Sequence, residues 1–359
     1  MTAVKIAHIY PKYDRNTGDH FVQMGILRLL RERLGDFEYV PISSRRDAPD
    51  PSEPVGITRE SLPCIQGCDL LVIGGSNLYE VSDGRWGVVV EDEALDSIKT
   101  RVLPLGIGSG WAFGVPRLPA MPENVASQVR RLHDRSRRGG SVRDLLTARE
   151  LERHGIGPST VTGCPAQLLA EEPLRPVGRG IVGVAFPPRR MYAGPALSPK
   201  RSRSAGHVRR RLLTRFFLGL LKALGNAKLE VRVLVHDAAD LPLAERLLGS
   251  DFVYDASAAR MLDAIRECDV IVGFRLHAGI AGLSFGIPPI PILLDGRSLG
   301  FAETLGLLEL SVPLDPDAVV LAMERVRLAL GSGRRAWAPV VARRDELGRT
   351  MREFLASAI

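Results

Sequence analysis

Short apolar runs that stop at glycine recur through this chain, and they constrain its fold more than any other feature. Leu70-Leu71-Val72-Ile73 ends at Gly74-Gly75, and Val102–Leu105 ends at Gly106-Ile107-Gly108-Ser109-Gly110. Val270–Gly273 repeats the pattern two hundred residues on, in round numbers, from the first. Runs of this kind read as buried strands. Strands that end in glycine are what open parallel sheets present at their ligand-facing edge.

Between these runs the periodicity changes from strand to helix, twice over. Val4–Tyr10 reads as a first strand, ended by Pro11. Asn16-Thr17-Gly18-Asp19 reads as a glycine-containing loop that opens an amphipathic stretch to Leu34, with Ile26, Leu27, Leu29, Leu30 and Leu34 as its apolar stripe. Ser141–Arg143 is a short strand, and Asp144 caps a helix to His154. After a Pro- and Arg-rich link, Glu172–Arg179, the alternation restarts. Gly180–Phe186, Leu229–Val235, Val270–Gly273 and Pro289–Leu294 are strands; Met261–Glu267 and His277–Phe285 are helices; Ala318–Leu330 and Arg344–Leu355 close the chain. A length of 359 residues fits two domains. The expected fold class is α/β: two Rossmann-like domains facing across a cleft, over residues 1–175 and 178–340, with a closing C-terminal helix over 341–359.

Composition narrows the partners. The net charge is +7, and Lys occurs only at positions 5, 12, 99, 200, 222 and 228, so Arg carries the charge. Arg suits carboxylate and phosphate, although a GC-rich genome gives the same usage. No zinc-finger spacing, RNP-like stretch or aromatic-interleaved basic motif is present, so no nucleic-acid partner is expected. The long apolar stretch Val270–Leu294 is broken by Arg275, His277, Gly and Pro, which argues against a membrane span. Val4–Tyr10 is too short for a signal-peptide core, so a cytoplasmic location is expected. Cys64 and Cys68 lack a second ligand pair, and no aspartate pair has Mg²⁺ spacing, so neither metal nor cofactor is expected. Oligomeric state is not legible.

The most informative segment is Gly273-Phe274-Arg275-Leu276-His277-Ala278-Gly279. It places Arg275 and His277 where a strand turns into a helix, whose first turn offers free N–H groups and a positive dipole end. An Arg beside such an end makes an anion site, and a His there can give or take a proton. The purely structural reading is that Arg275 caps a neighbouring carbonyl and His277 packs. His236, at the end of Leu229–Val235, faces the same edge or is an ordinary loop histidine. Residues 189–211 are dense in Arg: a lid, a patch that meets a membrane, or a solvated loop followed by a helix over His207–Leu224.

These pieces, taken in order, resemble the polysaccharide pyruvyl transferase family. The Arg-x-His run followed by Pro291–Gly306 is similar to its C-terminal signature. Asn16-Thr17-Gly18-Asp19 is similar to its Asn-x-Gly-Asp, Gly74-Gly75-Ser76 to its Gly-Gly-Gly turn, Gly106-Ile107-Gly108 to its Gly-rich strand end, and Arg143-Asp144 to its Arg-Asp pair. Departures are Cys164 for an Asp before Pro-Ala, Ser76 for the third glycine, and Arg297 for a common Lys.

The resemblance implies a GT-B-like fold, with the acceptor on the N-terminal domain and the donor on the C-terminal one. It implies transfer of pyruvate from phosphoenolpyruvate to two hydroxyls of a sugar or glycan, lipid-linked where the basic loop meets the inner face of a membrane. His277 is then the expected acid and Asp19 the residue that orients the acceptor, with helix capping as the alternative for Asp19. Arg275, Asn16, Gly18, Gly74, Gly75, Ser76, Gly108, Arg143, His236, Arg297 and Glu303 are the expected binding residues. The competing readings are a nucleotide-sugar glycosyltransferase of GT-B type and a non-catalytic relative with an altered donor site.

Overall fold

The computed structural model describes residues 4–12, 16–45, 53–79, 81–82, 85–110, 121–170, 178–188, 202–331 and 336–359, with the side chains of 81, 82, 85 and 202–210 left aside. The N-terminal half is built on a parallel sheet of β1 (Val4–Tyr10), β2 (Phe37–Ser43), β3 (Leu70–Gly74) and β4 (Arg101–Leu105), in the order β2-β1-β3-β4. A bridge between Ile107 and Val142 continues it into β5 (Gly140–Val142) and β6 (Ser159–Val161). The C-terminal half is a parallel five-stranded sheet of β7 (Ile181–Ala185), β8 (Glu230–Leu234), β9 (Val270–Gly273), β10 (Pro289–Leu293) and β11 (Val312–Pro313), in the order β8-β7-β9-β10-β11. In both sheets the first strand lies between the second and third, so strand order reverses there. A crevice opens at such a reversal beyond the carboxyl ends of the strands.

The main helices are α1 (Thr17–Leu34), α2 (Glu123–Asp134), α3 (Leu145–Arg153), α4 (Ser202–Asn226), α5 (Leu241–Leu248), α6 (Ala258–Arg266), α7 (Leu276–Ser284), α8 (Gly296–Thr304), α9 (Ala318–Gly331) and α10 (Ala338–Ala358). Alternation along the strands sorts the core into two bodies. Ile6, Leu70 and Val72 face α1 and a core that continues into the C-terminal half, whereas Ala7, Ile9, Leu71 and Ile73 face α2. The turn Pro165–Leu168 wedges between α1 and α7. Gly25 of α1 admits it: a Cβ there would lie 2.0 Å from the Pro165 carbonyl oxygen. The last helix returns to the N-terminal half, where Arg352 pairs with Glu32 at 3.0 Å and Arg101 Nη1 donates to the Ile359 carbonyl at 2.5 Å.

Several elements differ from the sequence reading. Asn16–Asp19 is not a free loop: Asn16 is the N-cap and Thr17, Gly18 and Asp19 form the first turn of α1. β2 escapes notice because Pro41 interrupts it; on an edge strand a missing N–H costs no ladder bond. The helix expected from His207 begins at Ser202, because Gly206 sits inside it, a tolerated cost of about 1 kcal/mol. The rest of the basic stretch, 189–201, lies outside the described residues. The final helix is longer at both ends than Arg344–Leu355. Asp144 caps its helix as expected, accepting from Thr147 N at 2.8 Å.

Candidate active site

The carboxyl ends of both sheets meet at the first turn of α1. Asn16 Oδ1 accepts from Gly18 N at 3.1 Å, and Asn16 Nδ2 donates to Asp19 Oδ2 at 2.8 Å. Asn16, not Asp19, is therefore the cap, and Asp19 is left to face the β3 turn, where Ser76 Oγ donates to its Oδ1 at 2.5 Å. Ser76 holds a φ of 53°, a left-handed conformation that a glycine would adopt without strain. Its hydroxyl is what the substitution adds to the site. Gly74 and Gly75 make room rather than contacts. A Cβ on Gly75 would come 1.9 Å from Val22 of α1, and one on Gly74 would come 2.7 Å from Ile26.

Opposite stands the start of α7. Gly18 lies directly against His277, whose Nδ1 is 2.8 Å from where a Gly18 Cβ would stand. His277 is partly exposed as a residue, yet its Nε2 is buried and has no hydrogen bond. Burial holds its pKa well below the usual 6.5, and the nearby guanidinium groups of Arg143, Arg297 and Arg275 and the His236 ring push the same way. The imidazole is thus held neutral. Asp19 moves in the opposite sense. Burial raises its pKa, offset in part by the Ser76 bond and by Arg45, His20 and Arg275.

Arg275 occupies the N-cap position of α7. It is not a free anion receptor. Its Nη2 binds Asp240 and lies 3.7 Å from Asp237 Oδ2, while its buried Nε has no partner. Both carboxylates follow β8 and neither stands out in the sequence. His236, fully buried, ties the halves together: its carbonyl accepts from Thr17 N at 2.9 Å, and its Nδ1 lies 3.2 Å from Thr17 Oγ1. Burial, then Arg275, pushes its pKa down to about 3, and its Nε2 is unpartnered.

Arg143 completes the cationic side. It is buried, donates through Nε to Asp144 Oδ2 at 3.1 Å and through Nη2 to Asn77 Oδ1 at 2.7 Å, and lies against Gly108, where a Cβ would come 2.4 Å from Nη2. Asn77 is a further residue that the sequence does not flag. Arg297, near the start of α8, donates through Nε to its own helix cap, Asp295, at 2.7 Å. Burial alone would raise the Asp295 pKa, but Arg297 and the cap N–H groups overcome it and hold the carboxylate ionised. Glu303 is placed elsewhere. Six residues beyond Arg297, or about 9 Å along the helix, it takes a two-pronged contact from Arg149 (3.1 and 2.5 Å) and joins α8 to α3. Among the described residues no group of His, Cys, Asp or Glu is arranged to hold a metal ion. The site therefore offers one buried and two partly exposed guanidinium groups, a neutral imidazole and a carboxyl group of raised pKa around one seam. Such a set can bind an anion and exchange protons with it.

A family model for polysaccharide pyruvyl transferase matches residues 16–296. A search of curated proteins finds no match. Among solved structures, the chain is similar to the UDP-GlcNAc 2-epimerase of Methanocaldococcus jannaschii in complex with UDP-GlcNAc and UDP (12% identity, 99% of each chain, TM-score 0.53). It is also similar to the UDP-N-acetylglucosamine 2-epimerase of Rickettsia bellii (9% identity, 99% of this chain and 96% of that one, TM-score 0.53). A third is the lipopolysaccharide outer core galactosyltransferase WaaB in its apo form (10% identity, 99% of each chain, TM-score 0.51). At these identities the likeness is one of fold, and the fold is GT-B.

Proposed function

The chain belongs to the polysaccharide pyruvyl transferase family, and from that premise we propose that it forms a cyclic ketal on a sugar or glycan with phosphoenolpyruvate as donor. The observation that carries this reading is the His277 imidazole, pressed against Gly18 with an unbonded Nε2 and surrounded by Arg143, Arg275 and Arg297. Phosphoenolpyruvate brings a carboxylate and a phosphate, and guanidinium groups suit both. In this reading the donor lies on the side of residues 178–340 and the acceptor on the side of residues 1–175, against Asp19 and Ser76.

The reaction balances with these groups. The donor methylene carbon gains a proton, and the adjacent carbon bonds the first acceptor oxygen. The carbon–oxygen bond to phosphate then breaks, and the second acceptor oxygen bonds to the same carbon. Of the two hydroxyl protons, one ends in the new methyl group and one on the departing phosphate. His277 delivers the proton to carbon. Burial, helped by its cationic neighbours, holds it neutral, and the negative charge of the donor opposes both and raises its pKa. Asp19, whose carboxyl lies high for an aspartate, accepts a hydroxyl proton. Arg275 and Arg143 stabilise charge on the leaving phosphate. A lipid-linked acceptor at a membrane face fits the basic segment 189–211.

The test is a thermal-shift and turnover comparison on the full chain. Phosphoenolpyruvate is expected to stabilise the protein, and phosphate release is expected to require a diol-bearing glycan from a panel of acceptors. Stabilisation by a UDP-sugar and not by phosphoenolpyruvate would assign the site to nucleotide-sugar transfer. Stabilisation by neither would point to a non-catalytic relative.

A further inference from the structure

The outer flank of the C-terminal half carries a surface that the proposed chemistry does not use. α4 and α9 lie side by side there: a Cβ on Gly219 would come 3.3 Å from Val319 Cγ2. Each helix exposes one stripe. On α4 it runs Arg211, Arg215, Leu218, Lys222, at spacings of four, three and four. On α9 it runs Val320, Glu324, Arg327, Leu328. Leu218 directly precedes and Val320 directly follows the residues in contact, so both lie beside the line where the two helices meet. Of the five large apolar side chains exposed among the described residues, three (Leu218, Val320 and Leu328) are on these two helices; Val320 is 61% exposed.

On the two stripes themselves the charged side chains are mostly cationic. Arg211, Arg215, Lys222 and Arg327 form no ion pair with another described residue, against the single carboxylate of Glu324 on the stripes and Asp315 and Asp317 at the foot of α9. Some surface arginines elsewhere, such as Arg59, Arg131 and Arg149, are matched to carboxylates, while others, such as Arg31 and Arg246, are in no ion pair with a described residue but have no exposed large apolar stripe beside them on a paired helix. Apolar side chains set among unpaired cations make an interfacial surface, in which the long basic side chains reach lipid headgroups while the apolar ones enter the acyl boundary. No helix among the described residues is long and apolar enough to cross a membrane.

We infer that the α4–α9 face docks the protein peripherally on an anionic lipid bilayer. The inference is independent of the donor chemistry and rests on no residue of the segment 189–201. The test is co-sedimentation of the full chain with vesicles of phosphatidylglycerol and phosphatidylcholine, against vesicles of phosphatidylcholine alone. Arg215→Gln with Lys222→Gln should lower partitioning onto the anionic vesicles about 30-fold at low salt. Leu218→Ser with Val320→Ser should remove the part of the binding that survives high salt, with the melting temperature unchanged in both pairs. Absence of binding, or full binding with both pairs replaced, overturns the assignment; the latter would move the contact elsewhere on the chain. Equal affinity for duplex DNA, insensitive to Leu218→Ser and Val320→Ser, would mark a generic polyanion surface and overturn it too. Phosphate release with a water-soluble acceptor reports the proposed transfer separately.

Discussion

Gly18→Ala isolates the seam between the two halves with a single methyl group. The added Cβ would stand 2.8 Å from His277 Nδ1, 3.1 Å from His277 Cβ and 3.3 Å from Asn16 Oδ1. The first of these is roughly 0.7 Å inside the ~3.5 Å optimum for such a contact. Gly18 sits in the first turn of α1 with no left-handed φ, so alanine fits its backbone and favours the helix by about 0.5–1 kcal/mol. The helical gain and the contact cost oppose each other, and the melting temperature should move little. The imidazole, in contrast, must shift by several tenths of an ångström away from α1, and misplacement of about 1 Å at a reacting group costs about 10²-fold in rate. The assay is phosphoenolpyruvate-dependent phosphate release, with a thermal melt as the control. Wild-type turnover in Gly18→Ala would refute the reasoning, because His277 would then not need its place against α1.

Three further outcomes are expected. His277→Gln should fold normally and lose roughly 10²–10⁴-fold in turnover, while phosphoenolpyruvate binding falls far less; solvent deuterium in the product methyl group, followed alongside the rate, checks it, and an unchanged rate removes the histidine from the chemistry. Arg275→Ala should weaken donor binding or transition-state stabilisation by about 2–4 kcal/mol, and Arg275→Lys should restore only part of it, since an ammonium lacks the planar fork that can hold Asp240 through one nitrogen and offer its other N–H groups to the donor; titration with phosphoenolpyruvate reads this, and full rescue by Lys would sink the geometric argument. Stability should fall with acid, because burial pushes His8 and His236 down to about 3 and His133 to about 4. Each of these is neutral in the folded state and protonates near 6.5 once unfolded, so its contribution is present above that value and is lost as pH falls toward the folded pKa. At pH 5 the loss is up to about 2 kcal/mol for each fully buried ring. Urea midpoints at pH 7.5 and 5.0 measure it, and coincident midpoints would contradict the neutral assignment.

What could be read from the chain before folding was local. Val4–Tyr10, the glycine stops after β3 and β4, the apolar stripe of α1 and the Asp144 cap all follow from residue spacing within one element. So does the place of Arg275 and His277 at a strand-to-helix turn. What surrounds those residues is another matter. Thr17 meets His236 across 219 positions, Arg275 is held by carboxylates 35 or so positions back, and Glu303 is drawn to Arg149 instead of to the site. Ser76 looks like a lost glycine in the sequence, yet in the fold its hydroxyl binds Asp19. Even Pro41, which argues against a strand, is accommodated because β2 lies at an edge. Spacing along a chain specifies which face of an element is apolar and where its backbone must turn. Which polar group stands opposite depends on how two sheets pack around α1 and Pro165–Leu168, and that is set by contacts between residues far apart in the chain, each of whose partners carries no local signal.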